Sequence, residues 1–239
     1  MVKSIFSHLY MPRRNKLTKF SEILSFPNVV ENYDPEDSVL FIDMDREIEL
    51  KGKWKKDFFK NDNKLVVELA CGRGEYTIAL GRENPDVNFI GVDIKGARIW
   101  KGAKQALTEN LTNIGFLRCK IEMIEKFFAQ GEIDEIWITF PDPFPAKENR
   151  RLTAHRFLDS YKRITSANAI VHLKTDDEPL YEWSIKSLAD YNADMIYHSS
   201  NIYFSPLAYK ELSYKTYYEI LNLGRGKTIK YIRFSLKEA

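Results

Sequence analysis

The chain predicts an α/β fold, a mostly parallel sheet with helices on both faces. Three observations carry that expectation. From about residue 64 onward, short apolar runs alternate with runs of helical length and periodicity. The first apolar run, Val66-Val67-Glu68-Leu69, breaks into Cys71-Gly72-Arg73-Gly74. The second, Phe89-Ile90-Gly91-Val92, ends in Asp93. Alternating strands and helices need crossover connections and therefore parallel strands. A strand feeding a glycine turn, followed by an acid at the tip of the next strand, is how such sheets grip an adenosine.

The elements follow in order. Residues 1–60 have weak periodicity, scattered prolines and blocks of charge, and are expected to form an N-terminal extension or cap. Residues 61–239 form the main domain. Strands are expected at 64–69, 87–92, 114–118, 133–140, 168–174, 194–198 and 227–236. Helices are expected between them at 75–83, 95–110, 121–130, 152–165, 177–191 and 215–222. In the helix at 177–191, Leu180, Trp183, Ser184, Leu188 and Tyr191 share one face at 3.6-residue spacing. The final strand follows a helix and Gly224-Arg225-Gly226, an order compatible with an antiparallel last hairpin.

Net charge is only +2, so the total argues for no polyanionic partner. The distribution is uneven. Residues 1–20 carry Lys3, Arg13, Arg14, Lys16 and Lys19 and no acid, residues 31–49 are acidic, and 147–163 are again basic. Cys71 and Cys119 have no Cys or His at metal-ligand spacing and read as buried free thiols of a reducing compartment, with no metal expected. No run is long and apolar enough to span a membrane, and no signal-peptide core is visible, so a cytoplasmic protein is expected.

Dinucleotide sites use three glycines and a helix N-terminus to hold a pyrophosphate. Here Thr77 stands where the third glycine would be, and Glu75 places an anion at the helix start. Both features favour S-adenosylmethionine, which has no pyrophosphate and carries an ammonium and a sulfonium. Glu68 would face that positive end, and Asp93 would accept the ribose hydroxyls. A buried-strand glutamate needs a partner in any case. After the fourth strand comes Phe140-Pro141-Asp142-Pro143-Phe144-Pro145. Its alternating prolines force a stiff, extended loop. Its sole ionisable group, Asp142, lies where open α/β sheets bind ligands. Lys147, Arg150 and Arg151, with Arg156, Lys162 and Arg163 behind them, suit phosphate contacts. Thr175-Asp176 puts a second carboxylate at the same rim, and Thr216-Tyr217-Tyr218-Glu219 forms a third polar cluster.

Together these residues resemble the bacterial tRNA (guanine-N7)-methyltransferase family. The marks are E-x-x-C-G-x-G at 68–74, F-P-D-P-x-P at 140–145, R-R-L-T at 150–153, H-x-K-T-D at 172–176 and T-x-Y-E at 216–219. The resemblance implies a Rossmann-like class I methyltransferase sheet with an antiparallel last strand. It implies methyl transfer from S-adenosylmethionine, leaving S-adenosylhomocysteine, to N7 of a variable-loop guanine at position 46 of tRNA. It implies that Glu68, Gly72, Gly74, Asp93, Lys120, Ile121 and Asp142 bind the cofactor, Asp142 also serving as the catalytic residue. It assigns Lys147, Arg150, Arg151, Asp176, Thr216, Tyr218 and Glu219 to the substrate. Two positions depart from the family pattern. Lys120 stands where an acid often meets adenine, leaving backbone groups or Glu122 as alternatives. Ala146 stands where a lysine follows the last proline, with Lys147 next. The residues by themselves also admit a methyltransferase for another acceptor, a nicotinamide-dependent dehydrogenase, or a non-catalytic RNA-binding protein.

Overall fold

A computed structural model describes residues 15–236. The basic residues Lys3, Arg13 and Arg14 lie outside this range. Among the described residues one sheet of ten strands runs through the molecule. The strands are β1 (Val29–Glu31), β2 (Leu40–Ile42), β3 (Arg46–Ile48), β4 (Lys64–Leu69), β5 (Val87–Asp93), β6 (Ile114–Arg118), β7 (Ile133–Thr139), β8 (Thr165–Thr175), β9 (Asp194–Ser199) and β10 (Lys230–Ser235). Their order is β3-β2-β1-β6-β5-β4-β7-β8-β10-β9. The stretch from β1 to β8 is parallel. β10 lies antiparallel between β8 and β9, the antiparallel last strand expected from the sequence. The order reverses between β4 and β7, and the crevice beyond the carboxyl ends of those two strands is the topological switch point where ligands bind.

The helices are α1 (Lys16–Ile23), α2 (Glu75–Glu83), α3 (Gly96–Thr108), α4 (Ile124–Phe127), α5 (His155–Ile164), α6 (Glu178–Asp190) and α7 (Tyr217–Gly224). Successive side chains of a strand face opposite sides, so the buried strands feed two cores. Val67, Ile90, Ile136 and Leu173 pack under α4, α5 and α6. Phe89, Phe116, Trp137 and Tyr231 pack under α2, α3 and the segment leading to α7. No described helix is long and apolar enough to cross a membrane.

The N-terminal segment does more than cover the core. β1 pairs in parallel with β6, and β2 and β3 extend the same sheet as a hairpin. Asn28 Nδ2 donates to the Ala103 carbonyl at 3.0 Å, and Trp54 Nε1 donates to the Phe127 carbonyl at 2.8 Å, fastening this segment to α3 and α4. Three-residue strands are too short to show a period, which is why the sequence pattern did not reveal them. The helix expected at 121–130 is likewise cut down to a 3₁₀ turn (Ile121–Met123) and α4. Glu132 stops it by accepting the N–H groups of Ala129 (2.8 Å), Gly52 (2.8 Å) and Trp54 (3.0 Å).

Candidate active site

The glycine turn follows β4. Ala70, Gly72 and Gly74 have φ of 59°, 56° and 68°. Gly74 is obligatory twice over, since a Cβ there would also sit 2.6 Å from the Phe116 ring. The turn delivers α2 with its first-turn N–H groups aimed back at the end of β4. Glu68 is buried there and accepts the Thr77 N–H at 2.9 Å, the Thr77 hydroxyl and the Thr139 hydroxyl. Its partners come from α2 and β7, the two sides of the switch point. Thr77 is therefore the anchor of the Glu68 carboxylate and not merely a missing glycine.

Burial lifts the Glu68 carboxyl from 4.5 to about 7, with the Thr139 and Thr77 hydrogen bonds pulling the other way. A carboxyl raised on folding binds more protons in the native state than in the unfolded one. Its contribution is therefore fully present below about pH 4.5 and is lost as pH rises toward 7. Glu68→Gln is expected to remove that slope. In urea titrations over this window, wild-type stability should fall relative to the variant by a few kcal/mol, on the order of what two pH units of differential protonation give. Parallel curves would refute the buried carboxyl.

Asp93, also buried, accepts the Gly72 N–H at 3.0 Å and the Lys95 N–H at 2.8 Å, one bond per oxygen. Each oxygen keeps a free lone pair, which suits the paired hydroxyls of a ribose. Burial raises its carboxyl, and those two backbone bonds oppose the shift. Lys120 is exposed and caps the 3₁₀ turn that contains Ile121. Glu122, the alternative at this position, faces Arg156 at 3.7 Å. With Glu68 and Glu75 placing carboxylates at the α2 start and the Asp93 carboxylate beside it, the residues present fit an adenosine cofactor lacking a pyrophosphate.

The loop after β7 is strained. Phe140 and Phe144 hold φ of 49° and 42°, which bulky side chains rarely adopt. The Phe140 N–H donates to the Lys174 carbonyl at 2.8 Å, locking the loop onto the end of β8. Arg151 fixes the loop from the other side. It is 5% exposed; its Nε donates to the Pro143 carbonyl at 3.0 Å, and its guanidinium lies 4.7 Å from the Trp183 ring centre. Asp142 is exposed at the tip, with Lys147 and Arg150 exposed beyond it. Arg150 stacks on Phe144 at 4.8 Å. The sequence grouped Arg150 and Arg151 as phosphate contacts. The fold separates them and commits Arg151 to bracing the loop.

The last two motifs meet in the interior. Lys174 of H-x-K-T-D and Glu219 of T-x-Y-E are both fully buried and pair at 2.8 Å. Lys174 also donates to the Tyr214 carbonyl at 2.9 Å, and the Tyr203 hydroxyl donates to Glu219 at 2.6 Å. Burial pulls the Lys174 ammonium down, and Glu219 pulls it back up. Thr216 caps α7 by accepting the Glu219 N–H at 3.2 Å. Asp176 is engaged by Lys227. Tyr218, the remaining substrate-side residue of these motifs, is turned outward, as is its neighbour Tyr217. Glu219 and Asp176, expected at the substrate, thus have their carboxylates occupied within the protein. His172 lies flat on Trp137, 3.8 Å between ring centres, and burial holds its imidazole below its ordinary range. Sequence reasoning missed Lys174, although a lysine amid Ile170-Val171-His172-Leu173 is itself a signal that a partner lies inside.

Comparison with known proteins gives a consistent result. Residues 62–231 match a family model described as a putative methyltransferase. The chain is 46% identical over 226 residues to the tRNA (guanine-N(7)-)-methyltransferase of Bacteroides fragilis (strain YCH46), spanning 94% of this chain and 87% of that protein. It is also 46% identical over 230 residues to the enzyme of the same name from Christiangramia forsetii, spanning 95% of this chain and all of that one. Among solved structures, the 16S rRNA methyltransferase KamB superposes with a TM-score of 0.61 at 14% identity, covering 81% of this chain and 97% of that chain. An S-adenosylmethionine-dependent methyltransferase from Aquifex aeolicus gives 0.52 at 13% identity, covering 72% and 82%. These two share the fold.

Proposed function

Since the chain belongs to the tRNA (guanine-N7)-methyltransferase family, we propose that it methylates N7 of a guanine in tRNA, the variable-loop guanine at position 46. When bound, S-adenosylmethionine supplies an electrophilic methyl group, and guanine N7 offers an in-plane lone pair with no proton to lose first. No general base is needed for the attack. The protein's tasks are alignment and electrostatic support of a purine that becomes cationic.

The observation that carries this reading is Asp142, an exposed carboxylate on a strained, doubly anchored loop beside the switch point. Asp142 is suited to accept the N1–H and N2–H of guanine while its charge supports the methylated ring. Adenine presents the opposite donor pattern and would leave the Asp142 carboxylate covered by the base without a donor. Gly72, Gly74 and Asp93, with Lys120 and Ile121 on the adenine side, hold the cofactor, and Glu68 shapes the turn from beneath. Lys147 and Arg150 meet phosphate and Tyr218 the nucleotide. Thr216, Glu219 and Asp176 keep α7 and the β8 rim in place.

The test is methyl transfer from labelled S-adenosylmethionine to an unmodified tRNA transcript, followed by mapping of the product. Label at N7 of the variable-loop guanine is expected. Label at another atom, or on a different acceptor only, would overturn the assignment. Replacing Lys147 and Arg150 by alanine should weaken tRNA binding and flatten its salt dependence by about 0.7–0.9 per lost phosphate contact. Arg151→Ala should instead lower thermal stability. An unchanged salt slope in the double variant would remove these side chains from the phosphate interface.

A further inference from the structure

We infer that Tyr217 is a stacking platform for a nucleobase beside the target guanine, resting on the tRNA reading above. Tyr217 is the variable position of the T-x-Y-E motif, yet its setting is built. It opens α7 next to the Thr216 cap, and its ring is 49% exposed. Its backbone N–H donates to Glu75 Oε2 at 2.6 Å, and Glu75 Oε1 is held by Lys101 at 2.9 Å. The guanidinium of Arg73, the middle residue of the glycine turn, lies 4.9 Å from the Tyr217 ring centre. The turn that carries the cofactor site therefore grips this tyrosine by both backbone and ring. An exposed aromatic ring fixed this firmly has already lost the freedom that binding would otherwise cost it.

The surroundings fit a nucleotide. Tyr218, also 49% exposed, meets Tyr217 edge to face at 5.6 Å between centres. Lys215 lies over the Tyr203 ring at 4.8 Å, and Phe204 beside it is 89% exposed. Exposed rings interleaved with Arg73 and Lys215 match the pattern that binds unpaired strands, where bases stack on aromatic faces and cations meet the phosphates. Reaching N7 of a tRNA guanine requires the base to be displaced from its pairing. Displacement leaves the adjacent base without a stacking partner, and Tyr217 supplies one at the mouth of the cofactor site. Glu75 and Arg73 are its positioning residues.

The probe is a tRNA transcript with 2-aminopurine next to the methylated guanine. Wild-type enzyme with S-adenosylhomocysteine is expected to quench its fluorescence. Tyr217→Leu, which keeps an apolar side chain at an exposed helix position, should abolish the quenching and raise the KM for tRNA about tenfold or more. Its S-adenosylhomocysteine affinity and melting temperature should stay near wild type. Tyr217→Phe should restore quenching and KM. Unaltered quenching and KM in Tyr217→Leu would overturn the stacking role, and so would a loss that Tyr217→Phe does not rescue. If wild-type enzyme binds the probe without methylating tRNA, the functional reading fails while the quenching result still reports on the platform.

Discussion

Asp142→Ala is expected to lower kcat for tRNA methylation by about 10²–10³-fold, the loss typical of one preorganised electrostatic group at the reacting centre. The fold should survive. Asp142 is exposed, and the loop that presents it is anchored by other groups, through the Phe140 N–H on Lys174 and the Arg151 side chain on Pro143. Exposed positions of this kind usually change stability by no more than about 0.5 kcal/mol. Asp142→Asn retains one acceptor but no charge and should fall between the two. Single-turnover rates at saturating S-adenosylmethionine and tRNA, with thermal melts on the same samples, check this. Wild-type turnover in Asp142→Ala would sink the assignment.

Breaking the buried pair under α7 should be costly in a different way. Lys174→Met alone leaves the Glu219 carboxylate in the interior with only the Tyr203 hydroxyl. Glu219→Leu alone strands the Lys174 ammonium against backbone carbonyls. Each single change is expected to cost about 3–5 kcal/mol, because the charge left behind is desolvated and unmatched. Replacing both together should recover most of that loss, since an apolar pair of similar size needs no desolvation of charge. Denaturant titrations of the four proteins in this cycle measure the coupling directly. Additive single effects would show that the two groups do not depend on one another. The consequence reaches the site, because α7 carries Tyr217 and Tyr218 and its cap is Thr216.

Legibility in the sequence followed local physics. β4, β6 and α2 were legible to the residue because hydrophobic runs and a glycine turn mark their limits. The turn's own chemistry was legible too, since Gly72 and Gly74 take backbone angles that other residues resist. The short strands β1 to β3 were not, because three residues carry no period and β1 joins them to the sheet through β6, far along the chain. Arg150 and Arg151 are neighbours of one type in sequence, and only packing around Trp183 separates the exposed one from the buried one. Glu75 looked like an argument against a phosphate; in the fold it is also the acceptor that holds Tyr217.

The sequence by itself determined the α/β class, the glycine turn, the proline loop with its single carboxylate and, through its motifs, the family. All of these rest on residues near one another along the chain, where backbone angles and hydrophobic periods act directly. Tertiary structure decided which charged residues of those motifs face outward. Asp142 and Arg150 reach solvent, whereas Glu68, Arg151, Lys174 and Glu219 spend their polar atoms inside. A motif gives the identity of a charge, but only the fold brings the partner that neutralises it. Burial makes such a partner obligatory, because a desolvated charge without one costs several kcal/mol or more.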